Sequence, residues 1–590
     1  MQQDNRDNAT GFQIDADNST VYAGINHVYQ SSRPPKCIPF QALALPKDYV
    51  DRPEIRQLIK SKSLDSLPSK AGILAVSVIY GMGGVGKSVI AAALAHDIEV
   101  QSVFVDGVLW VTLGQSPDLL PCLYAWVQSL GDYDFKPTNI DSTSSHLRSL
   151  LRDKKILLVV DDAWNNDSVV PFLVGGEGCR VLVTTREADI LDAERIEMDV
   201  MSQSEALDLL MSRAKIQSLA DLTAEEIKQS QRLIDVLGGL PLAVDLAGAQ
   251  IADGMSWSEL LEDLEAEIAY LESLDRPNFG GERNDKNRKR LSLKASLNLS
   301  LKLLTAEQLQ QFAWLGVLPE DVSIQPEMVA TLWYMPIKKA GAVLRTFRAK
   351  ALLLSGVEGV RKGSSYRIHD LMHDLARGLL TSAGEKDIPG LELEWNDTHG
   401  ILLDRYRQQT TEGQWHTLPD DGYIHAHLAW HLEKAGRSDE LHLLLQKVTT
   451  RGRNAWYEAC LSLGQNAIFV TDLGRAWQLA EEMYQRDTSQ SIGLQVRYAL
   501  IFSSLNSLAV NIPSQLMAAL VKKEKWSPNQ AWIYARQSIK SHSNSEMIRD
   551  LAPFLPPMLL SEALVIMSEF QDDAQNLSSM RLCLIIKSSL

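Results

Sequence analysis

Four short aliphatic runs set the pattern of the first third of the chain: Leu74–Tyr80, Gly107–Leu113, Lys155–Val160 and Cys179–Arg186. Each is bounded by glycine or charged residues and is apolar on consecutive positions, the mark of strands buried on both faces of a parallel sheet. Between them, and almost without interruption from Ser202 onward, apolar residues recur at helical spacing. Two weaker alternations precede this body, Gly11–Ala16 and Thr20–Asn26, separated by the turn-like Asp17-Asn18-Ser19. Two short strands cannot fold alone in water. The pattern predicts an α/β domain with a parallel sheet, followed by a long all-α region.

The chemistry sits at the ends of the strands. The first run opens directly into Gly81-Met82-Gly83-Gly84-Val85-Gly86-Lys87-Ser88, and Val89 then enters a helix. This is the G-x-x-x-x-G-K-[ST] pattern in its required strand–loop–helix context. Glycines let backbone N–H groups close around a β-phosphate, Lys87 supplies a point charge, and Ser88 offers a hydroxyl to Mg²⁺. The third run ends in Asp161-Asp162, placing carboxylates at the C-terminal edge of a parallel sheet, where ligands bind. Asp161 is the candidate Mg²⁺ holder and Asp162 could orient a water for hydrolysis. The fourth run delivers Arg186 to the same edge, where a guanidinium can sense a γ-phosphate.

The chain has 590 residues, 45% apolar and 22% charged, with room for several domains. Its net charge of −16 argues against nucleic acid as the main partner. Five scattered cysteines without ligand spacing read as reduced core thiols, and the polar start and the absence of a long apolar stretch point to a cytoplasmic protein without a membrane span.

GMGGVGKS, LLVVDDAW, VLVTTR and GGLPLA occur in that order, and Tyr366-Arg367-Ile368-His369-Asp370-Leu371 follows. The series resembles the NB-ARC module of signal-transducing NTPases, shared by animal apoptosome-forming factors and plant disease-resistance proteins. Val50-Asp51-Arg52 resembles the family's V-x-R. The resemblance implies ADP or ATP held by Val50, Arg52, the loop, Pro241 and His369, with His369 on the β-phosphate. This chain has Ile where the family's Met-His-Asp has Met, and the nearby His373-Asp374 leaves a second register open. The implied domains are a P-loop domain at 34–195, a small helical domain at 196–280, a winged-helix domain at 290–380, an arm domain at 381–462 and helical repeats at 463–590. The charged stretch Gly281–Arg290 between two of them reads as a solvated linker.

The implied function is a switch, closed with ADP and forming a homo-oligomer on exchange for ATP. It would be triggered by a protein or peptide on the C-terminal arm and coupled to an effector, in an immune or cell-death-like response. Residues 1–33 read as a flexible segment whose two short strands form a hairpin that docks on the body or stays unstructured. The alternative is a self-stacking segment, since they also resemble short amyloid-type signalling motifs that would recruit that effector. A transcriptional regulator or a turnover ATPase that remodels a partner are the alternatives. His416, His425, His427 and His431 cluster without a cysteine or convergent carboxylate, so a structural role is the reading for them. Ile512–Leu520 recurs as Leu555–Leu564, a helical repeat of about 43 residues.

Overall fold

The computed structural model describes residues 38–64, 75–275, 285–356, 365–510 and 514–523, save for single positions within these spans, and scattered positions from 528 to 560. The N-terminal alternations and most of the second helical repeat lie outside the described residues. Helix α1 (Pro53–Leu64) starts on a proline, whose missing N–H is harmless in a first turn. Then come β1 (Ala75–Tyr80), α2 (Lys87–His96), α3 (Ile98–Val103), β2 (Gly107–Thr112), α4 (Leu119–Ser129) and α5 (Ile140–Leu151). They are followed by β3 (Ile156–Ala163), α6 (Asn166–Val169), β4 (Arg180–Thr185) and β5 (Glu194–Glu197). The five strands form one parallel sheet in the order β2-β3-β4-β1-β5.

Successive residues of each central strand go to opposite cores. Val78, Leu109, Leu158 and Val183 pack with Trp126 and Leu147 of α4 and α5. Ile79, Trp110, Val159 and Leu182 pack with Ile90 and Ala91 of α2. Two covered faces explain the unbroken aliphatic runs. β5 was not predicted: Glu-Arg-Ile-Glu exposes three of its four residues, and it exists because β1 offers a free edge.

Helices α7 (Gln203–Arg213), α8 (Ala224–Leu237), α9 (Pro241–Ala252) and α10 (Trp257–Asp275) follow. Capping boxes start α7 at Ser202/Glu205 and α8 at Thr223/Glu226. Gly238 and Gly239 both adopt positive φ, ending α8 and turning the chain into α9 at Pro241. One expectation is corrected here. From Asp285 onward the charged stretch is not linker but the first turns of α11 (Asp285–Lys302). Leu293 of α11 belongs to the helical core, and Ser292 donates to the Val236 carbonyl of α8 at 2.6 Å, so packing farther along the helix holds its charged start.

Helices α12 (Ala306–Trp314), α13 (Pro326–Leu332) and α14 (Ile337–Ala349) precede an antiparallel pair, β6 (Leu354–Ser355) and β7 (Tyr366–Arg367), and then α15 (Asp370–Thr381). A small hairpin thus sits between the helices α12–α14 and α15. A second pair, β8 (Gly384–Glu385) and β9 (Ile388–Pro389), leads into α16 (Trp395–Arg407), α17 (Ile424–Lys434), α18 (Ser438–Gln446), α19 (Ala455–Ser462), α20 (Asn466–Glu482), α21 (Thr488–Val510) and α22 (Ser514–Lys522). Helix α20 returns to the sheet domain: Ala467 and Val470 join the α4 core, and Arg475 lies 3.2 Å from Asp118. Among the described residues no helix is long and apolar enough to cross a membrane.

Candidate nucleotide-binding site

The loop after β1 is shaped by glycine where only glycine fits. Gly84 (φ 79°) and Gly86 (φ 96°) are left-handed, and a Cβ on Gly81 would meet the Met198 carbonyl oxygen at 2.5 Å. Gly86 caps α2, so the free N–H groups and positive end of that helix face the loop. Lys87 is buried and donates from Nζ to the carbonyls of Gly81 (2.9 Å) and Met82 (3.1 Å). Burial, with the Arg186 cation nearby, pushes its pKa down to about 8.

Asp161 is buried at the end of β3, and burial pushes its carboxyl up. The Thr184 hydroxyl holds it in place, donating to Asp161 Oδ1 at 2.5 Å while accepting the Asp162 N–H at 2.9 Å. The β3–β4 register shifts between Val160 and Ala163, and Asp162 takes φ 49°. This bulge re-aims the second acid, which then accepts from Trp164 Nε1 at 3.0 Å. Arg186 lies over the Trp164 ring at 4.8 Å and 4.0 Å from Asp162, and it is ion-paired with Asp370.

A cavity of about 220 Å³ joins these groups to residues far away in sequence. Gly83, Gly84, Val85, Gly86, Lys87, Ser88 and Val89 line it, as do Asp161 and Asp162. Val50, Arg52 and Pro241 line its other end, and His369 and Asp370 close it from α15. Gly81 and Arg186 stand behind this lining, Gly81 against Met198 and Arg186 beside Gly83. His373 is elsewhere: it is buried, and its Nε2 lies 2.8 Å from the Leu318 carbonyl. The structure therefore brings His369, and not His373, to the loop.

Arg52 is buried and donates from Nη2 to the carbonyls of Asp199 (3.0 Å) and Val200 (2.9 Å). Its Nη1 is buried without a hydrogen-bond partner among the described residues. His369 caps α15, its Nδ1 lying 3.2 Å from the Leu371 N and also beside the Asp370 carboxylate, so the ring is held through Nδ1. Burial, then Arg186, Lys87 and Arg367, hold its pKa down to about 3. The imidazole is neutral at physiological pH and offers one donor.

These residues fit a magnesium nucleotide. The glycine cradle, Lys87 and the α2 terminus suit phosphates, and Ser88 with Asp161 supplies the oxygen donors that Mg²⁺ prefers. The apolar walls from Val50, Met201, Leu209 and Pro241, with the spare Arg52 Nη1, suit a flat base carrying polar edges. Bound there, such a group would supply a polyphosphate charge; the chain's own residues supply its grip and its orientation.

Among the lining residues to which the sequence assigns no role are Asp321, Arg367 and Asp370. Arg367 and Asp370 stand there only as part of a motif. Asp321 follows a 3-10 turn, Leu315–Val317, on an ordinary Pro-Glu-Asp loop with no local signal of chemistry.

Residues 57–219 match the family model described as the NB-ARC domain. The matched region is an NB-ARC domain. This chain is 27% identical over 420 residues to the human apoptotic protease-activating factor 1, covering 68% of this chain and 31% of that protein. It is 29% identical over 355 residues to the regulatory protein AfsR of Streptomyces coelicolor (58% and 33%). It is 26% identical over 341 residues to the disease resistance protein RGA2 of Solanum bulbocastanum (53% and 33%). The chain thus spans about a third of the length of these curated relatives. A signal-transduction ATPase with a tetratricopeptide repeat sensor from Pyrococcus horikoshii aligns over 94% of this chain and 79% of its own, at 14% identity and a TM-score of 0.47.

Proposed function

We propose that this chain is an adenine-nucleotide switch that ADP holds closed and that ATP opens for self-assembly into a signalling oligomer. The observation that carries this reading is the shared cavity: one wall is the P-loop domain and another is the start of α15, more than 200 residues later in the chain. A pocket built from two domains couples what it holds to how the domains sit, and a ligand shifts that balance only through contacts that differ between states. The His369 imidazole is such a contact, since it can donate to a phosphate only while α15 is docked. Lys87 and the α2 terminus take the phosphates, Ser88 and Asp161 the Mg²⁺, and Arg52 and Pro241 the base. Asp162 and Arg186 serve slow hydrolysis that resets the switch. The arm is the input side, because α20 touches the sheet domain through Arg475 and Asp118.

The similarity to apoptotic protease-activating factor 1 and to a disease resistance protein supports a signalling role of the immune or cell-death type. Mass photometry of the purified chain with Mg²⁺ and either ADP or ATP tests the reading. Monomers with ADP and discrete higher-mass particles with ATP are expected; monomers in both would overturn the assembly step.

A further inference from the structure

The loop between the 3-10 turn Leu315–Val317 and α13 carries two acids onto the sheet domain. Glu320 Oε2 accepts the Gln115 N–H at 2.8 Å. A Cβ built on Gly114 would meet Glu320 Oε2 at 3.0 Å and Asp321 Oδ2 at 3.1 Å, so the two loops touch with no room for a side chain between them. The Gly114 N–H itself donates to the Asp162 carbonyl at 3.2 Å. Asp321 is thereby set beside the end of β3 and lines the same cavity as Lys87, Ser88, Asp161 and Asp162. It takes φ 59°, a left-handed conformation that Asp tolerates better than most residues, and this aims its carboxylate inward. Its Oδ2 is buried with no hydrogen-bond partner among the described residues.

Three carboxylates from two domains therefore face one another where the P-loop lysine and serine mark the terminal-phosphate end of a ligand. Arg367 is the cation on the same wall. Burial is the largest cause, Arg367 pulls the other way, and the like charges of Asp162, Asp161 and Glu320 add to burial; the Asp321 pKa rises to about 7. A carboxylate oxygen buried without a hydrogen-bond partner is costly for stability, so its position calls for a use.

We infer that Asp321 makes the docked arrangement selective for a nucleoside diphosphate, because its carboxylate repels the extra charge of a third phosphate. The inference rests on the reading of the cavity as the nucleotide site. A diphosphate carries less charge to this end and leaves the loop in place. A triphosphate either binds weakly or drives the Asp321 loop away, and α15 belongs to the same unit as that loop. Asp321 is a specificity-determining residue in this account and takes no part in chemistry. The opposite role, as an added ligand to Mg²⁺, would favour the triphosphate.

The test compares Asp321→Asn with the native full-length chain by titration calorimetry at pH 8, where Asp321 is ionised, against ADP and a slowly hydrolysed ATP analogue, each with and without Mg²⁺. Asn keeps the side-chain shape and tolerates the left-handed backbone; Asp321→Glu, which keeps the charge, is the control. ADP affinity should change less than about threefold, while the triphosphate should tighten roughly ten- to thirtyfold, the size of one charge interaction across a partly desolvated site. Asp321→Glu should retain the native preference. An unchanged ratio of the two affinities, or a Mg²⁺-dependent loss of triphosphate binding in Asp321→Asn, would overturn the inference. Failure of the native chain to bind either nucleotide would instead strike the reading of the cavity itself.

Discussion

Arg186, just past the C-terminal end of β4, is ion-paired with Asp370, the first residue of α15. The contact clasps the edge of the parallel sheet to a helix from a later domain, directly beside Gly83 of the phosphate loop. Both side chains are about one-fifth exposed, so solvent screens the pair only in part. Arg186→Ala or Asp370→Ala should weaken docking by about 1–2 kcal/mol and speed release of a fluorescent ADP analogue roughly five- to thirtyfold. The double variant should be no faster than the worse single one. Additive effects in stopped-flow release would mean that the two residues act separately.

His369 lines the cavity, its ring held through Nδ1 beside the Leu371 N–H and the Asp370 carboxylate. Removal of one donor to a charged acceptor costs about 1.5–3 kcal/mol. His369→Ala should therefore lower ADP affinity at least tenfold, whereas His373→Gln should act on thermal stability and leave affinity nearly untouched. Calorimetric titration of both variants separates the two registers.

Arg475 joins the arm to the sheet domain through Asp118, and it also pairs with Glu433 of α17. Arg475→Ala should loosen the arm and raise hydrogen exchange in both α4 and α20. Protection that falls in α20 alone would mean that the contact does not hold the two domains together.

Acid should unfold the arm before the sheet domain. His399 is buried with its Nδ1 2.7 Å from Nδ1 of His431, whose Nε2 lies 2.5 Å from the Tyr423 hydroxyl. Burial pushes His399 down to about 3 and His427 to about 4, and it lowers His431 as well. A depressed histidine contributes stability that is present above its unfolded pKa of about 6.5 and is lost as pH falls toward the folded value. Asp472, raised to about 7 by burial, works the other way: its contribution is present below about 4 and is lost as pH rises to about 7. Three histidines against one acid give a net loss on acidification. Melting followed by arm tryptophan fluorescence should show a lower midpoint at pH 5 than at pH 7.5; an unchanged midpoint would contradict this.

How much of this was legible follows from how local each signal is. The phosphate loop, Asp161 and the four aliphatic strands were readable because motif and burial lie within a few neighbouring residues. His369 was readable only through the resemblance, since nothing near it in sequence points to Lys87. Asp321 was not readable at all: its meaning comes from Gly114, two hundred residues earlier, and contact at that separation leaves no trace in local pattern. The helix at Asp285–Arg290 was misread for a related reason. Its charged residues look solvated, and what holds them in helix is the packing of Ser292 and Leu293 farther along.

The central claim is that the two-domain cavity is a latch closed by ADP. Chromatography of nucleotide released by heat from protein purified without added nucleotide tests it most directly, with Lys87→Ala beside the native chain. The account predicts close to one ADP per native chain and none from Lys87→Ala. A native chain that releases no nucleotide, or that releases no more than Lys87→Ala, would contradict it.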